Sequence, residues 1–453
     1  MDEARAAGMF AVGRKAMASW RIAWHVASSA GFGLWATSAE AQYLAAPIPI
    51  SASIPDASMF LAKNSLAPNS PFLMQGNDYV GVPAGTWMIY PMVASSFQYD
   101  DNILDTHVGR IADISWILSP TFIATRNEGI QNTLVYGTLD SNSYFNDPKA
   151  DYTNGRVGFE HVWEARRDLV FNITGDLLRS TEVSTGGDAF GGTPFYPIQS
   201  TEARGSISML KSMGPWFSDT SASLSDTTYA NSAFGNGQPL YQNYRDFSEG
   251  TITQRVGYSF DSNFYAYEDS TLDAQNMYLS PETNSTGVRQ TVGVGALQYG
   301  TLGGELFAGF QERHYVSDRI GAISDPVFGG RVSWEPRKYL IFSAAADETL
   351  QTATMITPAN PVPSAMKVED FGLSATYSVS PNWQTGLNLK YENGVDLSNN
   401  QTLHAISTGI NWQYTVNRAF ILTASLLNNR VLSSVAATGY VADIMSIGLT
   451  YRY

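Results

Sequence analysis

The chain has 453 residues, no cysteine and only 15% charged residues, against roughly a quarter in an ordinary soluble domain. Its 41 acidic and 27 basic side chains give a net charge of −14, which would repel nucleic-acid phosphates and excludes nucleic acid as a partner. The lack of cysteine excludes a disulfide framework, a thiolate metal site and a cysteine nucleophile.

The first 41 residues have the three parts of a signal peptide. Basic residues come first: Arg14, Lys15 and Arg21. An apolar run follows at residues 22–36, and Ala39-Glu40-Ala41 then forms a small-x-small cleavage site before Gln42. The run is shorter than the roughly 20 residues that a membrane-spanning helix needs. We therefore predict an exported protein whose mature chain begins at Gln42, with three candidate translation starts: Met1, Met9 and Met17.

Residues 42–86 are rich in proline, alanine and serine and show no steady periodicity of the helical or the strand type. The proline rings remove backbone donors, which disfavours both helix and sheet. We predict an extended periplasmic lead-in, or a short segment inside the lumen of the domain that follows.

From residue 87 to residue 453, apolar and polar side chains alternate in segment after segment. In one segment the apolar set is Phe371, Leu373, Ala375, Tyr377 and Val379, and the polar set is Asp370, Gly372, Ser374, Thr376 and Ser378. Successive side chains of a strand point to opposite faces, so each strand has one apolar and one polar face.

Three features favour a membrane barrel over a soluble β-sandwich. The alternating segments are about ten residues or longer, which suits tilted strands that cross a bilayer. Aromatic residues gather near strand ends, and short turns alternate with long loops. We predict an all-β, transmembrane, antiparallel up-and-down β-barrel of 18 strands, with 16 as the alternative and both termini in the periplasm. Such a protein resides in the outer membrane of a Gram-negative bacterium.

The last predicted strand has one apolar and aromatic face, and the chain stops on an aromatic residue. This face comprises Met445, Ile447, Leu449, Tyr451 and Tyr453. A terminal aromatic strand resembles the signal that the outer-membrane assembly machinery reads. We predict that these five residues form such an assembly signal.

Two short motifs in the first two strands carry a family resemblance: Phe97-Gln98-Tyr99-Asp100-Asp101-Asn102 and Leu118-Ser119-Pro120. With the succession of hairpins to an aromatic end, residues 87–453 resemble the family of β-barrel porins whose members often accompany exopolysaccharide-assembly genes. The resemblance implies an outer-membrane channel, with polysaccharide export as one role.

The polar faces of the strands are expected to line a lumen, because a barrel of 16 to 18 strands is wide enough for water. We predict twelve pore-lining residues: Arg156, Glu160, Glu164, Asn172, Asp176, Arg255, Asp370, Lys390, Glu392, Asn411, Gln413 and Arg452. They mix both charge signs with amides, which permits hydrated solutes and sets no single strong ionic filter.

Catalytic and metal chemistry have little support in the sequence. The four histidines after the predicted leader are scattered: His107, His161, His314 and His404. None lies in a nucleophile motif, and no two stand at metal-ligand spacing. We predict no enzymatic activity, no metal and no cofactor.

The leading functional hypothesis is a porin-like channel for the passive passage of hydrophilic solutes, with saccharides or an exported polysaccharide as candidates. The alternative is a structural or surface-adhesive outer-membrane barrel with an occluded lumen. The expected partners are outer-membrane lipid and lipopolysaccharide, the barrel-assembly machinery, and polysaccharide or exopolysaccharide-assembly proteins.

Overall fold

The computed structural model describes residues 81–453 except 183–195, 235–236, 262, 300, 319–320, 338, 354–363, 398–399, 401 and 435–438. The predicted signal peptide, its cleavage site at Ala39, Ala41 and Gln42, and nearly all of the predicted lead-in lie outside the described residues. Those assignments therefore stay predictions.

Eighteen long antiparallel strands form one sheet. In chain order they are β1 (Trp87–Asp100), β2 (Asp113–Asn127), β3 (Gln131–Tyr144), β4 (Tyr152–Arg166), β5 (Leu169–Glu182), β6 (Ile198–Met213), β7 (Trp216–Tyr229), β8 (Phe247–Ser259), β9 (Phe264–Met277), β10 (Ser285–Tyr299), β11 (Leu302–Tyr315), β12 (Ala322–Arg337), β13 (Leu340–Ala353), β14 (Ser364–Ser380), β15 (Trp383–Asp396), β16 (Thr402–Thr415), β17 (Phe420–Ser433) and β18 (Tyr440–Arg452).

Each strand pairs with the next in the chain, and β18 pairs with β1. Arg452 lies opposite Met92, and Ile444 lies opposite Asp100. This last ladder closes the sheet, so the predicted 18-stranded antiparallel barrel is confirmed. Because the first and last strands pair with each other, neither is left as a free edge in contact with lipid.

The connections differ in length at the two ends of the barrel. Tight turns join β2 to β3 and β6 to β7, where Gly129 and Gly214 adopt φ angles of 78° and 65°, a region that glycine enters without strain. We call this the short-turn end and the opposite one the long-loop end. In the part of the long-loop end that the structure describes, there are a small hairpin (Ser232–Ala233 with Pro239–Leu240) and three 3₁₀ turns (Pro148–Ala150, Asn243–Arg245 and Pro281–Thr283).

The short strand Val82–Ala84 pairs with the first residues of β1, next to the short-turn end. It belongs to the end of the predicted lead-in. No helix in the described part of the chain is long and apolar enough to cross a membrane.

Contacts between strands that are not neighbours identify the inner face of the barrel. Side chains converge on the concave side and diverge on the convex side, so only inner-face side chains bridge distant strands. Arg255 on β8 reaches Glu305 on β11 across two intervening strands, with Nη1 and Oε2 3.3 Å apart. Directly opposed residues share a face, so the registers carry this assignment from strand to strand.

The outer face is mostly apolar and exposed. Leu373 on β14 and Leu387 on β15 lie there, as does Ile447 on β18. Exposed aromatic side chains such as Trp163 and Trp383 stand near strand ends. An apolar band between aromatic girdles is typical of a barrel that contacts lipid.

The last strand presents its aromatic face outward. Met445, Ile447, Leu449 and Tyr451 are exposed on the outer face of β18, and Tyr453 follows the strand. The predicted alternation of this strand agrees with the fold. The role of these residues as an assembly signal stays a prediction.

The seam between β12 and β13 is paired over only part of its length. The two strands pair from Arg337 with Leu340 up to Gly330 with Ala346, and no further pair joins their described residues toward the long-loop end. The ladders on either side continue through that level. Pro326, which has no N–H to donate, lies in the half of β12 that pairs with β11 but not with β13.

Beyond the Gly330–Ala346 pair, the parts of β13 and β14 nearest the long-loop end lie inside the barrel. Gln311 of β11 and Asp325 of β12 oppose each other on the inner face. Gln311 Oε1 accepts a hydrogen bond from the backbone N–H of Leu350 at 3.1 Å, and Lys367 Nζ lies 2.9 Å from Asp325. These contacts place β13 and β14 against the lumen side of β11 and β12. We call residues 347–350 and 365–370 the inturned segment.

Ion pairs hold the inturned segment in place. Arg289 on β10 donates to Asp347 at 2.5 Å across two intervening strands. Lys367 also lies 3.1 Å from Glu348, whose side chain is almost fully buried. Val327 and Leu350 are 1% and 7% exposed, which is expected where one layer of wall covers another.

Candidate functional site: the barrel lumen

All twelve residues predicted to line the lumen occupy inner-face positions of their strands. On β4 and β5, Asn172 Nδ2 donates to Glu160 Oε1 at 3.0 Å, and Arg156 pairs with Asp176 at 3.3 Å. Glu164 follows on the same face of β4. These contacts join neighbouring strands and leave the groups beside the lumen.

A second set of predicted residues forms a three-membered cluster on β14 and β15. Lys390 Nζ lies 3.5 Å from Asp370 and 3.1 Å from Glu392. All three side chains are partly exposed, so they stiffen the wall and still contact water in the lumen.

Within the described residues, the wall formed by β16, β17, β18, β1 and β2 carries no charged side chain at mid-strand and mixes hydroxyl and amide groups with apolar side chains such as Leu427 and Ile444. Asn411 and Gln413 on β16 belong to it, and Ser425 and Ser446 share a hydrogen bond at 2.7 Å. Arg452 stands at the short-turn end, buried, and donates to a carbonyl of the β16–β17 turn at 2.8 Å. We call this the uncharged wall.

The opposite wall holds a cluster of buried and half-buried charges. Arg255 Nη2 lies 2.8 Å from Asp269 and Nη1 lies 3.3 Å from Glu305. The Tyr267 ring centroid is 4.2 Å from the guanidinium carbon, and the Tyr265 hydroxyl donates to Glu305 at 3.1 Å. We call these five residues the Arg255 cluster. Charge-assisted bonds and a cation–π contact compensate for the burial of the guanidinium.

Of the charged residues on this wall, Arg255 was predicted from the sequence to line the lumen. The inner-face charges that were not predicted include Glu202, Arg204, Asp219, Asp269, Asp273, Arg289, Glu305, Arg313, Asp325, Arg331 and Asp347. On β9 the inner face carries Tyr265 and Tyr267 and the outer face carries Glu268, so the usual apolar-out pattern is inverted there. The even spacing of Asp269 and Asp273 was the available signal, since residues an even number apart share a face.

The loop after β1 folds over the long-loop end of the lumen. Ile103 and Leu104 are buried against Tyr144, and Tyr152 and Tyr196 pack against the same cluster. The loop therefore narrows the entrance and leaves tyrosine rings beside it.

A half-buried carboxyl in this loop has a shifted pKa. Burial, and then the neighbouring carboxylates of Asp100 and Asp101, raise the pKa of Asp105 well above its ordinary value. The docked loop therefore favours the protonated acid. Docking is fully stabilised below the ordinary pKa of an aspartic acid and weakens as the pH rises from there toward the raised value.

The histidines are dispersed around the barrel and make local contacts. A ring nitrogen of His107 lies 2.6 Å from the Gly439 carbonyl, and His314 lies 3.0 Å from Glu312. His161 bonds to a threonine and His404 to a tyrosine on the adjacent strand. Within the described residues, no group of three or more His, Asp or Glu side chains could hold a metal ion. The absence of enzymatic activity stays a prediction.

Comparisons with known proteins give one family. A family model described as "Putative beta-barrel porin 2" matches residues 76–453. A comparison with curated proteins found no match.

Several solved structures are similar to this chain at low sequence identity. The ferric enterobactin receptor PfeA of Pseudomonas aeruginosa is 8% identical with a TM-score of 0.43, covering 81% of this chain and 80% of that one. The FrpB iron transporter of Neisseria meningitidis is 9% identical with a TM-score of 0.44, covering 82% and 83%. OccAB4 of Acinetobacter baumannii is 8% identical with a TM-score of 0.43, covering 81% and 98%.

Proposed function

This chain belongs to the putative beta-barrel porin 2 family, an outer-membrane family, and from that premise we propose that it is a channel for the passive passage of hydrophilic solutes. The observation that carries the proposal is the division of the lumen into a charged wall and an uncharged wall. Side chains cannot fill a barrel of this strand number, so water has room beside both walls.

Saccharides are the solute class that the lumen chemistry favours. The uncharged wall offers hydroxyl and amide groups, such as Asn411, Gln413 and Ser425, that can exchange hydrogen bonds with sugar hydroxyls without an ionic preference. Two exposed tyrosines at the long-loop end, Tyr241 and Tyr278, add rings on which sugars can stack. An exported polysaccharide belongs to the same chemical class, as a long chain of sugar units.

Liposome swelling tests this proposal. Proteoliposomes that contain the full mature chain are placed in isotonic solutions of neutral sugars of increasing size. Entry of monosaccharides and disaccharides, with slower entry of longer oligomers, is the expected result. Swelling with small amino acids but with none of the sugars would contradict the saccharide assignment and leave the channel itself standing.

A structural barrel with a closed lumen is the second candidate. The inturned segment and the loop after β1 favour it, because both take up lumen volume near the long-loop end. The two candidates differ in whether any ion current passes.

The acids of the lumen are expected to make the channel weakly selective for cations. Neutralising Glu160, Asp176 or Glu392 as the amide should lower the cation preference, because each carboxylate borders the lumen. Folding should change little, since these side chains are partly exposed. Reversal potentials in asymmetric salt give the measurement. Glu128→Gln, in a tight turn, is the control that should leave selectivity unchanged.

The inturned segment is expected to limit conductance. In the double variant Asp347→Asn with Lys367→Gln, the bonds to Arg289, Asp325 and Glu348 are lost, so the segment should move from its docked position. Single-channel recordings should show a larger conductance and more frequent switching between levels.

Lys390→Gln is the matched control for that variant. It makes the same lysine-to-glutamine change in the lumen, but the bonds of Lys390 to Asp370 and Glu392 do not tie the inturned segment to β10, β11 or β12. If the control and the double variant give the same conductance as the wild type, the inturned segment does not restrict the pore.

A further inference from the structure

One area of the lipid-facing surface is polar. Asp219, Arg255 and Asp269 point into the lumen, so the residues beside them in sequence point outward. Across four neighbouring strands the registers place Thr220 opposite Gln254, Gln254 opposite Ser270, and Ser270 opposite Gln290. Two further polar side chains, Ser218 and Glu268, adjoin this row on the same face. We call the six residues the outer polar patch.

The outer polar patch lies at the depth of the lipid hydrocarbon. Phe264, exposed on the same face, marks the short-turn end of β9, and Glu268 follows four residues later. A tilted strand rises about 2.6 Å per residue along the membrane normal, which sets Glu268 about 10 Å above Phe264 in an apolar band about 25 Å tall. Leu272 and Val288 continue the outer face beyond the patch.

The polar groups of the patch bond chiefly to one another. Glu268 Oε1 accepts from the Ser270 hydroxyl and from Gln290 Nε2, and Gln254 Nε2 donates to Ser218 Oγ at 2.8 Å. Gln290 is nevertheless exposed and Glu268 partly exposed. Hydrocarbon offers no hydrogen-bond partner, so contact with lipid leaves these groups incompletely satisfied at a cost in free energy.

A groove runs beside the patch on the same face. Its volume is about 760 Å³, and its lining includes Trp216, Tyr258, Val292 and Leu306 together with Glu268. A carboxylate therefore stands in an otherwise apolar outer groove.

We propose that the outer polar patch and this groove form the docking surface for a second copy of the chain. The patch contains both amide and hydroxyl donors and a carboxylate acceptor, so it is complementary to itself. A two-fold axis through it brings each Glu268 toward the donors of the other copy, and the bulky apolar side chains at the rim cover the groove. Lipid acyl chains have no hydrogen-bond donors or acceptors, whereas a second copy presents the same set of amide, hydroxyl and carboxylate groups.

The double variant Glu268→Leu with Gln290→Leu tests the proposal. Leucine suits both lipid and a barrel surface, so the variant should remain folded, as heat-modifiable mobility would show. The mass of the protein–detergent complex should fall from that of a dimer to that of a monomer. Glu312→Leu is the matched control: it removes a carboxylate from the outer face near the long-loop end, outside the patch, and should leave the dimer intact.

Cross-linking in the membrane gives a second, independent readout. The chain has no cysteine, so Gln290→Cys introduces the single thiol. A short bifunctional thiol reagent should join two copies of this variant, whereas Leu432→Cys, exposed on the outer face of β17, should not be joined. A monomeric wild type, a dimer that survives the double leucine variant, or cross-linking of Gln290→Cys to a different protein would each overturn the proposal.

Discussion

Arginine at Leu373 or Leu387 is expected to destabilise the folded barrel by about 2–4 kcal/mol, because a guanidinium near the middle of the lipid-facing band loses its hydration. Both leucines are exposed on the outer face of adjacent strands, at 39% and 52%. Equilibrium unfolding in denaturant, with the barrel folded into lipid vesicles, measures the difference.

The adjacent positions supply matched controls. Ser374 and Asn388 oppose each other on the inner face of the same two strands, one residue away from the leucines. Arginine at either should fold with nearly unchanged stability and alter ion selectivity instead, since its side chain enters water. Equal tolerance of all four substitutions would mean that the face assignment is displaced by one residue.

Removal of the Arg255 guanidinium is expected to be the most damaging change inside the lumen. In Arg255→Met, the carboxylate of Asp269 loses its partner, whereas Glu305 keeps its bonds to Arg331 and to the Tyr265 hydroxyl. Breaking a buried ion pair from one side typically costs about 3–5 kcal/mol, because the remaining charge stays desolvated. The free energy of unfolding is again the measured quantity.

Two further variants make this prediction specific. Arg156→Met removes an arginine that is 36% exposed and pairs with Asp176, so its cost should stay under about 1 kcal/mol. The double variant Arg255→Met with Asp269→Leu should be more stable than Arg255→Met alone, because it also removes the Asp269 carboxylate that has lost its ion-pair partner. If the double variant is the less stable of the two, the charge is not the cause of the loss.

Much of the fold was predictable because each strand carries its own signal. The alternation around Leu373 and Leu387 indicates both the strand and its lipid-facing side without reference to any neighbour. The same local rule assigned Glu160, Lys390 and the other predicted lumen residues to the polar face. Where apolar side chains face lipid and polar ones face water, local pattern and global fold agree.

The features that escaped prediction depend on contacts between distant strands. Arg289 and Asp347 meet only because β13 turns inward, and nothing local in either strand indicates this. On β9 the pattern misleads, because Tyr267 contacts Arg255 and Tyr265 bonds to Glu305 inside the lumen, while Glu268 faces outward. Sequence periodicity reports which residues share a face, and it does not report which strands those residues reach.

Planar-bilayer recording of the purified mature chain tests the central claim most directly. A water-filled lumen predicts stepwise, ohmic conductance with a weak preference for cations in the wild type, and larger steps when Asp347→Asn and Lys367→Gln release the inturned segment. Correctly folded protein that passes no current, in the wild type and in the released variant alike, would contradict the channel and favour the structural barrel.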